Sequence, residues 1–425
     1  MRAGRRSERE SPPSFFFRTM ASFLISTAAL ERNGAVLAQV AQESGAKLLL
    51  ALKAFSTTSC LSTLRPYCAG CCASGLYEAK LAHRHMQGRH IAVYSPAYRD
   101  AELEELLDFA HHIDFNSLPQ WERFRERCMA HPRVQSGELK LGLRINPCFS
   151  TGHTALYDPC IPGSRLGIPA EQLEGADLTG ISGLHFHTLC EQGAQELIDT
   201  FRAFEKQFGD LLASPRITYL NLGGGHWITK PDYDRAALIT LLREIRELYH
   251  LDVYLEPGEA WAIHTGVLRA RVLDIFDSLG YRHAILDVSA SAHMPDTLEM
   301  PYRPDVFAVR EAPGTPVGAA SAITFPAVQM AGERYIPTGE AGEKAHTYRL
   351  GAPTCLAGDV IGDYSFDDPL SVGDTLVFDD MSHYTIVKTT HFNGVPHPDI
   401  ALMHADGSVH TVRRFGYEDF EKRLG

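Results

Sequence analysis

Eight short apolar segments, separated by amphipathic ones, recur before Trp261 and constrain the fold more than any other feature of the chain. They begin at intervals of roughly 20 to 40 residues, a spacing typical of successive strand–helix units. The predicted strands are Leu48–Ser56, Gly70–Ser74, His90–Ser95, His112–Asn116, Leu139–Asn146, Gly180–His187, Ile217–Leu222 and Asp252–Glu256. The predicted helices are Ala28–Glu43 (ended by Gly45), Leu76–Met86, Asp100–Ala110, Leu118–Ala130, Gln192–Phe208 and Tyr233–Tyr249. This α/β pattern predicts a (β/α)8 barrel of the TIM type, with a doubly wound sheet as the alternative.

After Trp261 the pattern changes to short strands joined by Gly, Pro and Asp turns, which predicts a β-rich second domain. Its predicted strands are Gly266–Phe276, Ala284–Val288, Thr375–Phe378, Tyr384–Lys388, Ile400–His404 and Ser408–Arg413. Residues 311–343 are rich in Ala, Gly and Pro without a period, so we expect a long loop or insertion there. Residues 1–19 indicate a disordered extension, or a misassigned start with Met20 as first residue. The predicted domains are therefore 20–261 and 262–425.

The amino-acid composition indicates which partners the protein can bind and in which compartment it is expected. The net charge of −12 argues against nucleic acid and anionic membranes as partners. No apolar run approaches the ~20 residues of a membrane span. Nine cysteines without a secretory signal favour free thiols in the cytoplasm. Cys68 and Cys71 have C-x-x-C spacing, but no second pair or suitably spaced histidines complete a zinc site, so we expect no metal.

The first barrel strand ends in a lysine, Lys53, within LLLALKAFS at 48–56. The carboxyl ends of barrel strands are where such folds keep their chemistry. Desolvation there lowers the pKa of a lysine, by up to ~3–5 units when burial is complete. A neutral lysine is a nucleophile that bonds to aldehydes such as pyridoxal phosphate (PLP). The alternative is a lysine whose stem is buried and whose ammonium reaches water.

Three further strand ends contain unusual residues. His185 and His187, in GLHFH, share one face of a strand and could bind a metal as in amidohydrolases, pack in the core, or stack on a cofactor ring. The glycines of ITYLNLGGG, Gly223–Gly225, could form an anion-binding nest for a phosphate. Glu256, in DVYLEPGE, could face a pyridine nitrogen and keep it protonated.

Together these features resemble the alanine-racemase-type (fold III) PLP-dependent decarboxylases, which include ornithine and diaminopimelate decarboxylases. Within them the chain is most similar to the carboxynorspermidine (carboxyspermidine) decarboxylases, from about Ser22 to Gly394. The segments supporting this are ALKAFS at 51–56, SGLYEA at 74–79, VYSPAY at 93–98, NSLPQWERF at 116–124, YDPCIPGSRLGI at 157–168, GLHFHTLCEQ at 183–192, NLGGGHWITKPDYD at 221–234, YLEPGEA at 254–260, SASAHMPDTLEMPYRP at 289–304, GAPTCLAGDVIGDYSF at 351–366 and HYTIVKTTHFNG at 383–394.

The resemblance implies PLP as cofactor and a role for each matched barrel residue. Lys53 would hold the cofactor covalently, and His187 would stack on its ring. Gly223–Gly225 and Tyr384 would bind its phosphate, and Glu256 would pair with the pyridine nitrogen.

The resemblance also implies residues that act on the substrate. Cys355 would protonate the substrate carbon after CO2 leaves, and Asp359 would bind the substrate amine nearby. Both would reach the site from a partner subunit, so a homodimer with shared sites is implied. Glu259 and Asp296 would complete the substrate site.

Two departures from the family pattern bear on the substrate. Ornithine and diaminopimelate decarboxylases have arginine after Glu-Pro-Gly, whereas this chain has Glu259, which favours a cationic substrate arm. Ala352 replaces a usual second glycine. We therefore expect decarboxylation of carboxynorspermidine or carboxyspermidine to norspermidine or spermidine, in polyamine biosynthesis. The alternatives are a diaminopimelate decarboxylase, a non-catalytic PLP-binding protein and a metal-dependent hydrolase.

Overall fold

The computed structural model describes residues 20–152, 154–314 and 328–425. The chain divides into two compact units, which we call the barrel unit and the sheet unit. The barrel unit is Leu30–Ile263, and the sheet unit consists of residues 20–29 together with the described residues of His264–Gly425. Within the described ranges, no helix has the length and apolar character needed to cross a membrane.

The barrel unit contains eight parallel strands, β2–β9, in sequential order, closed by pairing of β2 with β9. The chain first forms β1 (Ser22–Ser26), which belongs to the sheet unit. The elements that follow are α1 (Thr27–Ser44), β2 (Lys47–Ala51), α2 (Thr58–Leu64), β3 (Gly70–Ala73), α3 (Leu76–His85), β4 (His90–Tyr94), α4 (Asp100–Leu107), β5 (His112–Phe115), α5 (Leu118–Ala130), α6 (Pro132–Gln135), β6 (Lys140–Arg144), β7 (Ile181–His185), α7 (Ala194–Leu212), β8 (Tyr219–Asn221), α8 (Arg235–Tyr249), β9 (Asp252–Leu255) and α9 (Glu259–Ala262). The predicted barrel is confirmed, and the doubly wound alternative is wrong.

The start of the barrel shows why these residues form these elements. Gly45 ends α1 in the left-handed conformation (φ +71°), and its N–H donates to the Ala41 carbonyl at 2.8 Å. The chain then enters β2, in which Leu48–Ala51 are almost fully buried. An apolar run covered on both faces is typical of a parallel strand, because helices pack outside and side chains fill the inside.

The sheet unit is built on a ten-stranded mixed sheet to which β1 contributes. Its other elements are β10 (Gly266–Ser278), β11 (Tyr281–Leu286), α10 (Ala290–His293), α11 (Asp296–Glu299), β12 (Val306–Glu311), β13 (Glu333–Pro337), β14 (His346–Gly351), β15 (Val360–Phe366), β16 (Thr375–Phe378), β17 (Asp399–Met403), β18 (Val409–Arg413) and α12 (Tyr417–Leu424). The order is β13-β12-β16-β10-β1-β17-β18, with β11, β14 and β15 extending from β10.

Several predictions for the sheet unit differ from the structure. Strand β1 belongs to this sheet, where it pairs antiparallel to β10 and parallel to β17, whereas the predicted barrel domain begins at residue 20. Strands β12–β15 were not predicted, and β13 lies inside the expected loop 311–343. The predicted strand Tyr384–Lys388 is wrong, because Tyr384 has a left-handed backbone (φ +48°) and a 3-10 turn follows. The predicted extension 1–19 and residues 315–327 of the expected loop lie outside the described residues.

Candidate active site

A cavity of about 360 Å³, including the open space at its mouth, lies at the carboxyl ends of the barrel strands. Arg144 and His185 are the last residues of β6 and β7, Glu256 follows β9, and Lys53 lies in the turn after β2. The lining residues are Lys53, Cys72, Ala73, Ser74, Tyr94, Arg144, His185, His187 and Glu256. The structure thus brings together the predicted lysine, histidine and carboxylate at one mouth, each from a different strand end.

The amine of Lys53 contacts an imidazole whose orientation is set by the glycine run. Lys53 Nζ lies 3.2 Å from His187 Nε2, and the Gly224 N–H donates to His187 Nδ1 at 2.8 Å. Because Nδ1 accepts, the ring proton of a neutral His187 is on Nε2 and points at Lys53. Lys53 can accept that proton's hydrogen bond only as a neutral amine.

The protonation preferences of the two groups agree with this contact. Although the Lys53 side chain opens on the cavity, burial among the barrel atoms lowers its pKa, and the Arg144 guanidinium lowers it further. Burial also lowers the pKa of His187 well below its ordinary value, and a positive charge on Lys53 or Arg144 lowers it further. Both groups are therefore shifted toward their neutral forms, which is the state needed for a nucleophilic lysine.

Glu256 is oriented by Asn221, a residue to which sequence reasoning assigned no role. Asn221 Nδ2 donates to Glu256 Oε1 at 2.7 Å, and Asn221 Oδ1 accepts from the Gly223 N–H at 2.9 Å. Its position at the end of β8, shortly before the glycines, was the available signal. Asn221 thus holds the Glu256 carboxylate at the cavity through Oε1 and makes no hydrogen bond to Oε2.

The glycine run differs from the predicted three-amide nest. The N–H groups of Gly223 and Gly224 donate inside the barrel, to Asn221 and His187 respectively. These glycines permit close backbone approach: a Cβ on Gly224 would lie 2.0 Å from the Glu256 carbonyl oxygen, and one on Gly225 1.9 Å from that of Leu189. That these glycines bind a phosphate stays a prediction. It rests on Gly225, because the N–H groups of Gly223 and Gly224 already donate to other residues.

We expect Gly224→Ala to destabilise the barrel by about 1–3 kcal/mol, because the added methyl meets a backbone oxygen that cannot move aside cheaply. Chemical denaturation of the apoprotein measures this. Gly75→Ala is the matched control, since a Cβ there meets nothing within 4 Å and its backbone is extended. Equal stability of the two variants would contradict the close-approach explanation.

Arg144 and Glu259 are held by further barrel side chains. The Arg144 guanidinium lies 4.5 Å from the Tyr94 ring centroid and donates to the His187 carbonyl at 3.0 Å. Glu259 Oε1 accepts from the Trp227 indole N–H at 2.7 Å. Sequence reasoning did not single out Arg144, Tyr94 or Trp227, although the last two lie in segments that carry the family resemblance.

In the sheet unit, Cys355 and Asp359 lie on one loop in very different environments. The Cys355 thiol is exposed, and its N–H donates to Asn393 Oδ1 at 2.8 Å. Asp359 is buried and accepts from the Ser289 hydroxyl at 2.7 Å, from the Ser291 hydroxyl at 3.0 Å and from the Thr354 hydroxyl. These bonds hold Asp359 beside the loop that presents Cys355, and its predicted contact with the substrate amine stays a prediction.

Asp296 and Tyr384, also in the sheet unit, have the following contacts. Asp296 forms an ion pair with Lys388, which also contacts Glu299 at 2.5 Å. Tyr384 is half-buried and its ring lies 6.0 Å from that of His383. Their predicted substrate and phosphate roles stay predictions.

Comparison with known proteins places this geometry among decarboxylases. Residues 91–382 match the family model described as pyridoxal-dependent decarboxylase, C-terminal sheet domain. A carboxyaminopropylagmatine decarboxylase of Synechocystis sp. is 43% identical over 95% of this chain and 95% of its own length. A carboxynorspermidine/carboxyspermidine decarboxylase of Campylobacter jejuni is 40% identical over 95% of this chain and 97% of its own.

A solved structure shows the same likeness in three dimensions. The crystal structure of carboxynorspermidine decarboxylase from Campylobacter jejuni, complexed with norspermidine, superposes with a TM-score of 0.80. It is 39% identical in sequence and covers 95% of this chain and 99% of that one.

Proposed function

The chain belongs to the pyridoxal-dependent decarboxylases, and on that premise we propose that it decarboxylates carboxynorspermidine or carboxyspermidine to norspermidine or spermidine. The observation that carries the proposal is similarity over nearly the whole chain to enzymes of that name, at 36–40% identity. Diaminopimelate decarboxylase is less well supported, since its solved structures are only 16–18% identical to this chain. Membership of a decarboxylase family also speaks against a binding-only protein and a metal hydrolase.

A second substrate is favoured by the Synechocystis relative, which is named for carboxyaminopropylagmatine and is 43% identical. As its name indicates, that compound ends in the guanidino group of agmatine, whereas carboxyspermidine ends in an amine. Both arms are cationic, so a carboxylate such as Glu259 suits either of them. The proposal is therefore a carboxylated polyamine, with the two carboxy-triamines as first candidates.

The cavity residues fit pyridoxal phosphate as the cofactor. Lys53 offers an amine shifted toward its neutral form, for covalent attachment. His187 would lie against the ring, and Glu256 would accept a hydrogen bond from the protonated ring nitrogen. The phosphate would bind Gly225 and Tyr384. When bound, the cofactor supplies a conjugated ring that takes up the electron pair released as CO2 leaves.

The remaining residues would act on the substrate. Glu259, held by Trp227, would bind the cationic arm, with Asp296 as a second acidic contact. Cys355 would donate a proton to the carbon that loses CO2. Asp359 would bind the substrate amine near Cys355, and its three hydroxyl donors would hold it in place there.

The proposal includes a homodimer in the cytoplasm, with Cys355 supplied to each site by the partner chain. The family resemblance supports the dimer, and the exposed thiol of Cys355 is compatible with a contact to another chain. All nine cysteines lie in the described part of the chain and are free thiols, which supports a reducing compartment.

The test of the function is CO2 release from purified enzyme supplied with one candidate substrate at a time. The panel is carboxynorspermidine, carboxyspermidine, carboxyaminopropylagmatine, diaminopimelate and ornithine. We expect the highest kcat/KM with a carboxy-triamine. The two carboxy-triamines differ by one methylene, which changes binding by ~1–3 kcal/mol, so we expect them to differ in kcat/KM by at most about 200-fold. Preference for diaminopimelate or ornithine would overturn the proposal, and preference for the agmatine derivative would select the second candidate.

We expect Glu259→Arg to lower kcat/KM for carboxynorspermidine by about 100-fold, because it places a cation against a cationic arm. The dissociation constant of the cofactor should change much less. Glu174→Arg, the same charge reversal at an exposed loop position, is the control and should leave both values unchanged. A Glu259→Arg enzyme that keeps its substrate preference when saturated with cofactor would contradict this role.

A further inference from the structure

Trp227 differs from the other tryptophans of the chain in its surroundings. Trp121 and Trp261 are fully buried, whereas Trp227 is half-buried in the loop that follows β8 and the glycine run. Glu259, the first residue of α9, follows β9 at the same end of the barrel. A partly exposed indole at this end is either packing or a surface for a ligand, and the groups around the ring decide between these.

Hydrogen bonds fix the Trp227 ring against α9. The indole N–H donates to Glu259 Oε1 at 2.7 Å, and the Trp227 backbone N–H donates to the Gln192 carbonyl at 3.1 Å. The Thr229 hydroxyl donates to the Ala260 carbonyl at 2.8 Å and joins the loop to α9 a second time. The loop and α9 therefore present the indole ring and a carboxylate side by side.

A cation already lies on the face of this ring. Lys230 Nζ is 3.0 Å from the centroid of the Trp227 ring. The backbone of Lys230 is held independently of its side chain, because its carbonyl accepts from the Arg235 guanidinium at 2.9 Å and from the Tyr233 N–H at 3.2 Å. The Lys230 side chain can therefore leave the ring without loss of these hydrogen bonds.

The ring and the carboxylate attract a cation together. The face of an indole carries negative charge density and binds ammonium and guanidinium groups. Donation of the indole N–H to Glu259 polarises the ring and strengthens this attraction. A cation above the ring also lies near the carboxylate at its edge, so a Coulomb attraction is added. This arrangement fits the cationic end of a substrate arm, whether that end is an ammonium or a guanidinium.

We propose that the face of the Trp227 ring and Glu259 form the subsite for the cationic end of the substrate arm, and that Lys230 occupies this face until the substrate displaces it. This deepens the proposed function, since it rests on a carboxylated polyamine as substrate. The cavity around Lys53 is lined by other residues, as expected if the subsite binds the end remote from the reacting carbon. A substrate held at the cofactor presents its arm at a high effective concentration, which favours displacement of Lys230.

The test is calorimetric titration of the cofactor-loaded enzyme with norspermidine. Lys230→Ala should lower the dissociation constant by about 3- to 10-fold, because it removes the cation that competes for the ring. Lys206→Ala, the same substitution at an exposed position of α7, is the control and should leave the dissociation constant unchanged. Unchanged or weaker binding by Lys230→Ala would overturn the proposal, and so would equal tightening by Lys206→Ala.

A double-mutant cycle separates competition for the ring from the loss of a positive charge. Trp227→Leu should weaken norspermidine binding by about 10-fold, and Trp227→Phe, which keeps an aromatic face but loses the N–H donor, should have a smaller effect. In the Trp227→Leu background, Lys230→Ala should no longer tighten binding, because there is no face to compete for. Equal tightening with and without the ring would overturn the proposal.

The two levels of the proposal fail in different ways. If the Trp227 variants do not fold, the comparison of Lys230→Ala with Lys206→Ala still decides the role of Lys230. A parent enzyme that does not bind norspermidine would contradict the proposed function and the subsite with it. A parent enzyme that binds norspermidine no more weakly than Lys230→Ala would contradict the subsite alone.

Discussion

Lys53→Ala should abolish decarboxylation, lowering kcat by about 10³-fold or more, because it removes the only nitrogen proposed to bond the cofactor. The structure supplies the physical reason for choosing this lysine. Its amine lies at the cavity, burial lowers its pKa, and the Nε2 proton of His187 points at it from 3.2 Å. The neutral, nucleophilic form is therefore reached at lower pH than for an ordinary lysine.

Three measurements check this expectation. The parent protein should absorb in the visible, borohydride should fix the cofactor onto Lys53, and peptide mapping should locate the label there. Lys47→Ala, at the start of the strand that Lys53 follows, is the matched control. Lys47 forms a half-exposed ion pair with Asp252 at 3.1 Å, and such pairs contribute only ~0–1 kcal/mol to stability, so activity should remain near the parent value. A label on another lysine would refute the assignment.

Cys355→Ala should also be nearly inactive, and mixing it with Lys53→Ala should restore activity if each site uses both chains. A hybrid dimer would contain one site with both residues intact and one site with neither. Random reassociation makes about half of the dimers hybrid, so about a quarter of all sites should recover. Subunit exchange is verified by mass spectrometry, and recovery is measured as CO2 release.

The matched control mixes Lys53→Ala with His187→Ala. Both residues belong to the barrel unit and contact each other within one chain, so no hybrid site is complete and activity should not return. If the Cys355→Ala mixture also stays inactive after verified exchange, Cys355 acts within its own chain or not at all. If the control mixture recovers, the measured activity does not report shared sites.

The barrel and its central residues could be predicted because their signal is local. All eight predicted strands are present as β2–β9, since a strand buried on both faces is a continuous apolar run in the sequence. Lys53, His187 and Glu256 follow such runs, and the carboxyl ends of parallel strands meet at one mouth. The spacing of the segments therefore determined both the fold and the place where these three side chains converge.

The sheet unit was predicted less completely because its pairings are long-range. Strand β1 pairs with β17, Ser22 opposite Asp399, so no pattern within β1 itself indicates to which unit it belongs. Strands β12–β15 are partly exposed and give a weaker apolar signal, and β13 lies in a segment without a period. Contacts between residues distant in sequence decided this half of the architecture.

The hydrogen-bond partners within the site were decided by the tertiary structure alone. From the sequence, Asp359 was a substrate ligand and the three glycines a phosphate nest. In the fold, Asp359 accepts from three hydroxyl groups, and the amides of Gly223 and Gly224 donate to Asn221 and His187. The sequence determined which residue types stand at the strand ends. Which donor faces which acceptor depends on side chains brought together from different strands, because a polar group is satisfied by whatever lies within about 3 Å of it in space.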